Sequence, residues 1–451
     1  MSDHARRALR FEYVGFEVEP ERDRVVCRYR LEGLGGGPRD FTEIIAFPAG
    51  GDWSAPAVTE AARLLFLLTG VSYYKAGAPP VVDLGHHALT STELAFLREF
   101  YLEGLGEYAH RNGLDLSDLK IVAPSLERSG PVGYEPTDGR PLVPFGGGVD
   151  SIVSVELIRP FAQDPALFVV NRPGDRFDAI EEPARVAGLP VVRAEREIDD
   201  AVLRSRELGF LNGHVPVTGI ISAIAVLAAV LEGRDAVILS NEWSASSATL
   251  EVEGRSINHQ YSKSEAFEAG FRKVLAESIG ERPDYFSLLR PLTEVAIAAR
   301  FAEHPQYLEH FRSCNRAFQI DPARRYDHWC GVCDKCCFID LVLAPYVDEA
   351  ALRRVFARAG EPLAKPELVE SFRRLLALTP DAKPWECVGD VAESRVAARL
   401  AAARPDRKDN QMLADLVAEA ERFADPTAEE LMRPIGRHFV PERYAPDLLL
   451  G

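Results

Sequence analysis

The chain has 451 residues, 47% of them hydrophobic and 27% charged, with 52 Lys and Arg against 69 Asp and Glu and a formal charge of −17. This balance belongs to a folded globular protein and excludes a disordered polymer, a collagen and a small disulfide scaffold. It also argues against a protein that coats duplex nucleic acid, which needs a basic face for the phosphates, so no nucleic-acid partner is expected.

At roughly 150 residues per domain, the length suits two or three domains. Only 8 of the 52 basic residues are Lys, so a Lys inside a motif carries weight. The first residues, MSDHARRALRFEYVGF, hold no apolar stretch of signal-peptide length. Residues 11 to about 48 alternate apolar and polar positions between turn clusters, the pattern of a short antiparallel sheet. Helical spacing follows from Ala55 to Thr69. A second helix is expected after Thr90-Ser91-Thr92-Glu93, running to about Asn112. Residues 1–128 therefore read as an N-terminal α+β domain.

From Pro141 the pattern becomes strand, then helix, repeated: PLVPF, SIVSVELI, ALFVVN, a helix from about Phe177 to Ala187, VVRAE, Val217–Leu231 and DAVILS. Continuous apolar strands alternating with helices imply a parallel sheet covered on both faces. Ligands bind such sheets beyond the carboxyl ends of the strands, which points to the loops after Phe145, Asn171, Glu195 and Ser240. The longest apolar run, Val215–Leu231, contains Pro216, Thr218 and Ser222 and is short for a membrane span. It reads as a buried helix, so a cytoplasmic protein with no membrane partner is expected. Residues 129–346 form the expected α/β domain, and 347–451 the helical C-terminal region.

The sharpest local feature is Phe145-Gly146-Gly147-Gly148-Val149-Asp150-Ser151, between a strand and a helix. Three glycines allow a tight turn whose N–H groups face an anion, and the helix adds its N-terminal dipole. Asp150 can hold Mg²⁺ and Ser151 can donate to a phosphate oxygen. Neither the G-x-x-x-x-G-K-[ST] loop nor the dinucleotide fingerprint fits. The segment resembles the S-G-G-x-D-S loop of the PP-loop ATP pyrophosphatases, with Gly146 where that motif has its first Ser. The resemblance implies an α/β fold with a PP-loop (HUP-like) parallel sheet, ATP as co-substrate, and cleavage between the α and β phosphates. The plainer alternative is a glycine-rich turn with an Asp-Ser helix cap.

Of seven cysteines, four fall within Cys330–Cys337. That clustering fits a reduced compartment better than a disulfide frame. Cys314, Cys330, Cys333 and Cys336 suit a tetrahedral Zn²⁺ site, and a similar cluster binds structural zinc in 7-cyano-7-deazaguanine synthases. Two other readings stand beside it: reduced cysteines of which one or two move protons, and an inert buried set. Cys337 is surplus to four ligands, and Cys27 reads as core.

Further segments narrow the family: Tyr73-Tyr74-Lys75, Ser240-Asn241-Glu242-Trp243-Ser244, Asn258-His259-Gln260-Tyr261-Ser262-Lys263-Ser264, His328-Trp329-Cys330-Gly331-Val332-Cys333-Asp334-Lys335-Cys336-Cys337 and Lys383-Pro384-Trp385-Glu386-Cys387-Val388-Gly389. Together they resemble the UDP-N-acetylmuramoyl-L-alanyl-L-glutamate epimerases of peptidoglycan precursor synthesis, over nearly the whole chain. The resemblance implies ATP- and Mg²⁺-dependent inversion of the terminal L-glutamate through an acyl-adenylate, with release of AMP and diphosphate. It places Gly146, Gly147, Gly148 and Ser151 on the phosphates and Asp150 on Mg²⁺. Lys263 becomes a charge-stabilising contact, and His259 and Tyr261 become candidates for proton transfer. Tyr73, Tyr74, Lys75, Asn241 and Glu242 become candidates for the UDP-muramoyl-dipeptide. His214 is a helix-start residue or a phosphate contact. Two rivals remain at this stage: another PP-loop adenylating enzyme, of the deazaguanine nitrile synthase or tRNA-sulfurtransferase type, and a non-catalytic nucleotide-binding protein.

Overall fold

The alternating N-terminal segments form three antiparallel strands, β1 (Arg10–Glu19), β2 (Arg24–Glu32) and β3 (Arg39–Ala46). They belong to a computed structural model that describes residues 7–35, 37–248, 250–252, 255–379 and 388–444. Two short strands, β4 (Val81–Asp83) and β5 (Lys120–Val122), extend this group by running parallel to β1. The apolar strands beyond it are β6 (Thr137–Pro144), β7 (Ala166–Asn171), β8 (Val191–Glu197) and β9 (Arg234–Leu239). A hairpin, β10 (Leu250–Val252) with β11 (Arg255–Ile257), precedes the last strand, β12 (Asp284–Ser287).

All but the hairpin strands join one ten-stranded sheet, ordered β12-β9-β6-β7-β8-β3-β2-β1-β4-β5. The sheet runs on across residue 128, because β3 pairs antiparallel with β8 through Ile44–Ala46 and Glu195–Glu197. A buried ion pair marks that joint. Arg196 Nε donates to Glu43 Oε1 at 2.7 Å, and its Nη2 donates to Ser72 Oγ at 3.0 Å. Removing either charge would leave the other buried and unpaired, which costs about 3–5 kcal/mol.

Strands β12, β9, β6, β7 and β8 are all parallel. Counted in chain order they lie 5-4-1-2-3, a doubly wound arrangement that reverses between β6 and β9. One apolar core lies over each face. The first holds helices Pro56–Thr69, Ser91–Gly104, Val217–Leu231 and Glu265–Ser278. The second holds Val149–Ile158, Asp178–Ala187, Glu294–Ala302, Asp334–Leu343 and the C-terminal helices, among them Val391–Ala402 and Gln411–Ala420.

Val217–Leu231 is the expected buried helix, apolar all round because strands and helices surround it. Among the described residues no helix is long and apolar enough to cross a membrane. Thr90 and Glu93 form the capping box expected of that segment. The helix they start stops at Gly104, and a separate helix, Gly106–Asn112, follows it. Cys27 is buried in the first core. Residues 383–387 of the Lys383–Gly389 run lie outside the described residues.

Candidate active site

A cleft of about 450 Å³ opens at the carboxyl ends of β6 and β9, where the strand order reverses. The helix after β6 packs in one core and the helix before β12 in the other, so the two loops part and leave a crevice. The glycine loop forms one wall. Gly148 caps helix Val149–Ile158 with no side chain satisfying its first N–H groups, and Ser151 Oγ donates to the Gly148 carbonyl at 3.1 Å. Backbone donors and the helix dipole therefore face the crevice.

The glycines are not equivalent. Gly147 has φ +72°, and a Cβ there would stand 2.2 Å from the Ala179 carbonyl oxygen. At Gly148 a Cβ would meet Ser313 Oγ at 2.8 Å, and at Gly146 it would meet nothing within 4 Å. Gly147→Ala should therefore cost about 2–4 kcal/mol, from left-handed strain plus overlap, in chemical denaturation. Gly146→Ala should leave the midpoint unchanged, because a Cβ there meets nothing within 4 Å.

The opposite wall brings together Ser240, Asn241, His259 and Lys263, and the floor adds Arg312, Ser313 and Lys335. Three cations thus converge in a chain of net charge −17. Two polar atoms of residues lining this cleft are buried without a hydrogen-bond partner, Arg312 Nη1 and Ser240 Oγ. Orphaned donors beside a bare helix N-terminus are the chemistry of an anion site.

Arg290, only 1% exposed, holds the second wall in place. It pairs with Glu268 at 3.1 Å, donates to the Glu242 carbonyl at 2.7 Å and also donates to the Lys263 carbonyl. One guanidinium thereby fixes both the loop after β9 and the turn Tyr261–Lys263. Asn241 Nδ2 donates to Ser287 Oγ at 3.0 Å. Burial, with the neighbouring Glu242 carboxylate, pushes the Asp150 carboxyl up to about 6 against the pull of Lys335 and Lys263. Burial and the carboxylates of Asp150 and Glu242 push Glu294 well up too. A carboxyl whose charged form is disfavoured by burial and by neighbouring carboxylates suits a divalent cation at Asp150, which would offset both.

Other expected site residues lie elsewhere. Tyr73 and Tyr74 are fully buried in the first core, where Tyr73 stacks on Tyr29. Lys75 Nζ donates to the Gly213 carbonyl at 3.3 Å, and burial pushes its ammonium down to about 8. Tyr261 packs edge-on to Phe267, and burial with the Glu99 carboxylate raises its phenol far above the ordinary range. Glu242 is buried behind the cleft rather than lining it.

The four expected zinc ligands converge. The sulfur atoms of Cys314, Cys330, Cys333 and Cys336 all lie within 4.8 Å of one another, with Cys333–Cys336 at 3.4 Å and Cys330–Cys336 at 3.7 Å. Four thiolates about 2.3 Å from one zinc would sit about 3.8 Å apart, so the set fits a tetrahedral ion. None of the four lines the cleft, but their neighbours Ser313, Asn315 and Lys335 do. Cys337 stands apart, and burial pushes its thiol up to about 12.

Residues not found from the sequence include Glu107, Arg290, Arg312 and Ser313. Glu107 hydrogen-bonds His259, and the His214 ring lies beside that of His259, tilted by 41° with ring centres 4.3 Å apart. Nothing local in the sequence marks these four, since their partners are distant along the chain.

Fold and site together define an α/β protein with a glycine loop and a bare helix N-terminus at a sheet's topological switch point. The chain matches the MurL N-terminal domain over residues 2–288 and the MurL C-terminal domain over residues 310–431. It is 38% identical to a protein of Salinispora tropica, covering 98% of this chain and 96% of the relative. It is 37% identical to one of Xanthomonas oryzae pv. oryzae, covering 90% of each, and 36% identical to one of a Micromonospora species, covering 98% of each. All three carry the name UDP-N-acetyl-alpha-D-muramoyl-L-alanyl-L-glutamate epimerase. No solved structure matches the chain. The chain belongs to the MurL family of epimerases, which are isomerases.

Proposed function

We propose that this protein inverts the terminal L-glutamate of UDP-N-acetylmuramoyl-L-alanyl-L-glutamate in an ATP- and Mg²⁺-dependent reaction of the cytoplasm. The observation that supports it is the convergence of the glycine loop, three cations and His259 in one cleft. Removing an α-proton beside a free carboxylate puts a second negative charge next to the first. Adenylation removes that obstacle. The carboxylate attacks the α-phosphate of ATP and diphosphate leaves. The resulting mixed anhydride lets the acyl group accept the electron pair of the broken C–H bond. Proton return on the other face and attack by water release AMP and the D-glutamyl product.

In this reading the N–H groups of Gly146–Gly148 and the first turn of the helix hold the phosphates, with Lys263, Lys335 and Arg312 opposing the charge. Asp150 would hold Mg²⁺, which when bound neutralises phosphate charge. The four cysteines would hold a structural zinc. With magnesium, ATP and the dipeptide-bearing precursor, the purified protein should yield AMP, diphosphate and the D-glutamyl epimer, resolved by chiral analysis after hydrolysis. Free L-glutamate should be a poor substrate. AMP formation that ignores the precursor, or none at all, would count against this reading.

A further inference from the structure

The segment Phe311–Cys314 runs past the start of helix Val149–Ile158, where the Ser313 hydroxyl rests on Gly148. Its two ends are buried. The Phe311 ring packs edge-on to Phe301 and Trp329, with ring centres 4.7 and 5.1 Å away, and Cys314 Sγ accepts the Cys330 N–H at 3.4 Å. Between these ends Arg312 Nη2 pairs with Glu182 of helix Asp178–Ala187. The same helix supplies the Ala179 carbonyl that a Cβ on Gly147 would strike. Segment, helix and glycine loop are thus braced against one another, and Ser313 is held between fixed neighbours.

The glycine loop has no side-chain donor of its own to offer. Its three glycines carry none, and the Ser151 hydroxyl commits its single proton to the Gly148 carbonyl. Gly148 has φ −88° and ψ 177°, a conformation open to any residue, so its missing side chain serves space and not backbone freedom. A Cβ there would stand 2.8 Å from Ser313 Oγ, which is too close. Ser313 therefore occupies the place that a side chain on the N-cap residue would take. It is half-buried, lines the cleft and has no hydrogen-bond partner among the described residues.

We propose that Ser313 is the side-chain phosphate donor of this site, brought to the helix N-terminus by the cysteine-bearing segment and not by the glycine loop. The inference rests on the reading of the cleft as an ATP site. The Ser313 O–H and the backbone N–H groups of the first turn then address the same phosphate oxygens, with the Arg312 guanidinium from the next position adding charge. Glycine at position 148 is what admits the hydroxyl.

The test is isothermal titration with three probes: ATP with Mg²⁺, inorganic diphosphate, and adenosine. Ser313→Ala should weaken the first two about tenfold, the size of a hydrogen bond to a charged oxygen, and leave adenosine within about twofold. Its melting temperature without ligand should match that of the wild type, because the hydroxyl holds nothing within the protein. Gly148→Ala should reproduce the loss by turning the hydroxyl aside, and should add little once Ser313 is already alanine. Unchanged diphosphate affinity in Ser313→Ala overturns the proposal. An equal loss for adenosine does the same, and so does a Gly148→Ala penalty of one size in both backgrounds. If Ser313→Ala melts lower, the comparison of the two Gly148→Ala backgrounds decides. A wild-type protein that binds diphosphate but not ATP would sink the ATP reading alone, with Ser313 still judged on diphosphate. Binding of neither would overturn both.

Discussion

Asp150→Asn is expected to cut precursor-dependent diphosphate release by about 10²-fold or more, while giving a protein that is more stable at neutral pH, not less. The loss follows from charge. The amide keeps the size of the carboxylate but holds a divalent cation poorly. The gain follows from linkage. Burial and Glu242 raise the Asp150 carboxyl from 3.8 to about 6, so the folded protein keeps a proton that the unfolded chain has released. Stability is then lost as the pH rises from about 4 through about 6, and the full penalty persists above. The Asn variant never bears it. Melting temperatures taken without added magnesium should therefore diverge over that window, the variant ending higher. An Asn variant that melts lower at pH 7.5, or that still releases diphosphate normally, would count against Asp150 as a strained, metal-ready carboxylate.

How much of this was legible in the sequence depended on whether the signal was local. Strands β7 and β9 announce themselves because both faces are covered, which demands nearly continuous apolar runs. The glycine loop is legible because only glycine tolerates the φ of +72° at Gly147 and the close approach of Ala179. The cysteine quartet is legible because three of its members share a single turn and helix start. The joint between β3 and β8 is not. Three residue pairs some 150 positions apart create it, and no local pattern encodes that register. Tyr73 and Tyr74 show the same limit. Side-chain type does not say whether an aromatic lines a site or fills a core, and here both fill the core. Glu107 lies 152 residues from His259, and Arg290 reaches its carbonyl partners from the loop after β12. Each is visible only once the sheet has brought both cores to one edge.

The cysteine cluster and the cleft are mechanically one object, and that sets the remaining prediction. Ser313 and Asn315 flank Cys314, and Lys335 precedes Cys336 in the first turn of helix Asp334–Leu343, where Cys333 is the N-cap. An ion that fixes the four sulfurs fixes these three cleft residues as well. Metal binding contributes directly to folding free energy, and a closed four-thiolate site leaves no position for water to be activated. Purified protein should thus carry about one zinc per chain. Cys333→Ser, or stripping the metal with a tight chelator, should lower the melting temperature by about 10 °C or more, since several kcal/mol are at stake and 1 kcal/mol moves a domain of this size by about 2–4 °C. Nucleotide affinity should fall with it, because Lys335 and Ser313 lose their anchor. The competing idea, that one of these cysteines moves the α-proton, predicts a different variant: one with an unchanged melting temperature and normal adenylation that no longer exchanges the α-proton. The thiols lie behind the cleft wall, not in it, which favours the structural ion. Metal-free protein with an unshifted Cys333→Ser melting curve would reverse that assignment.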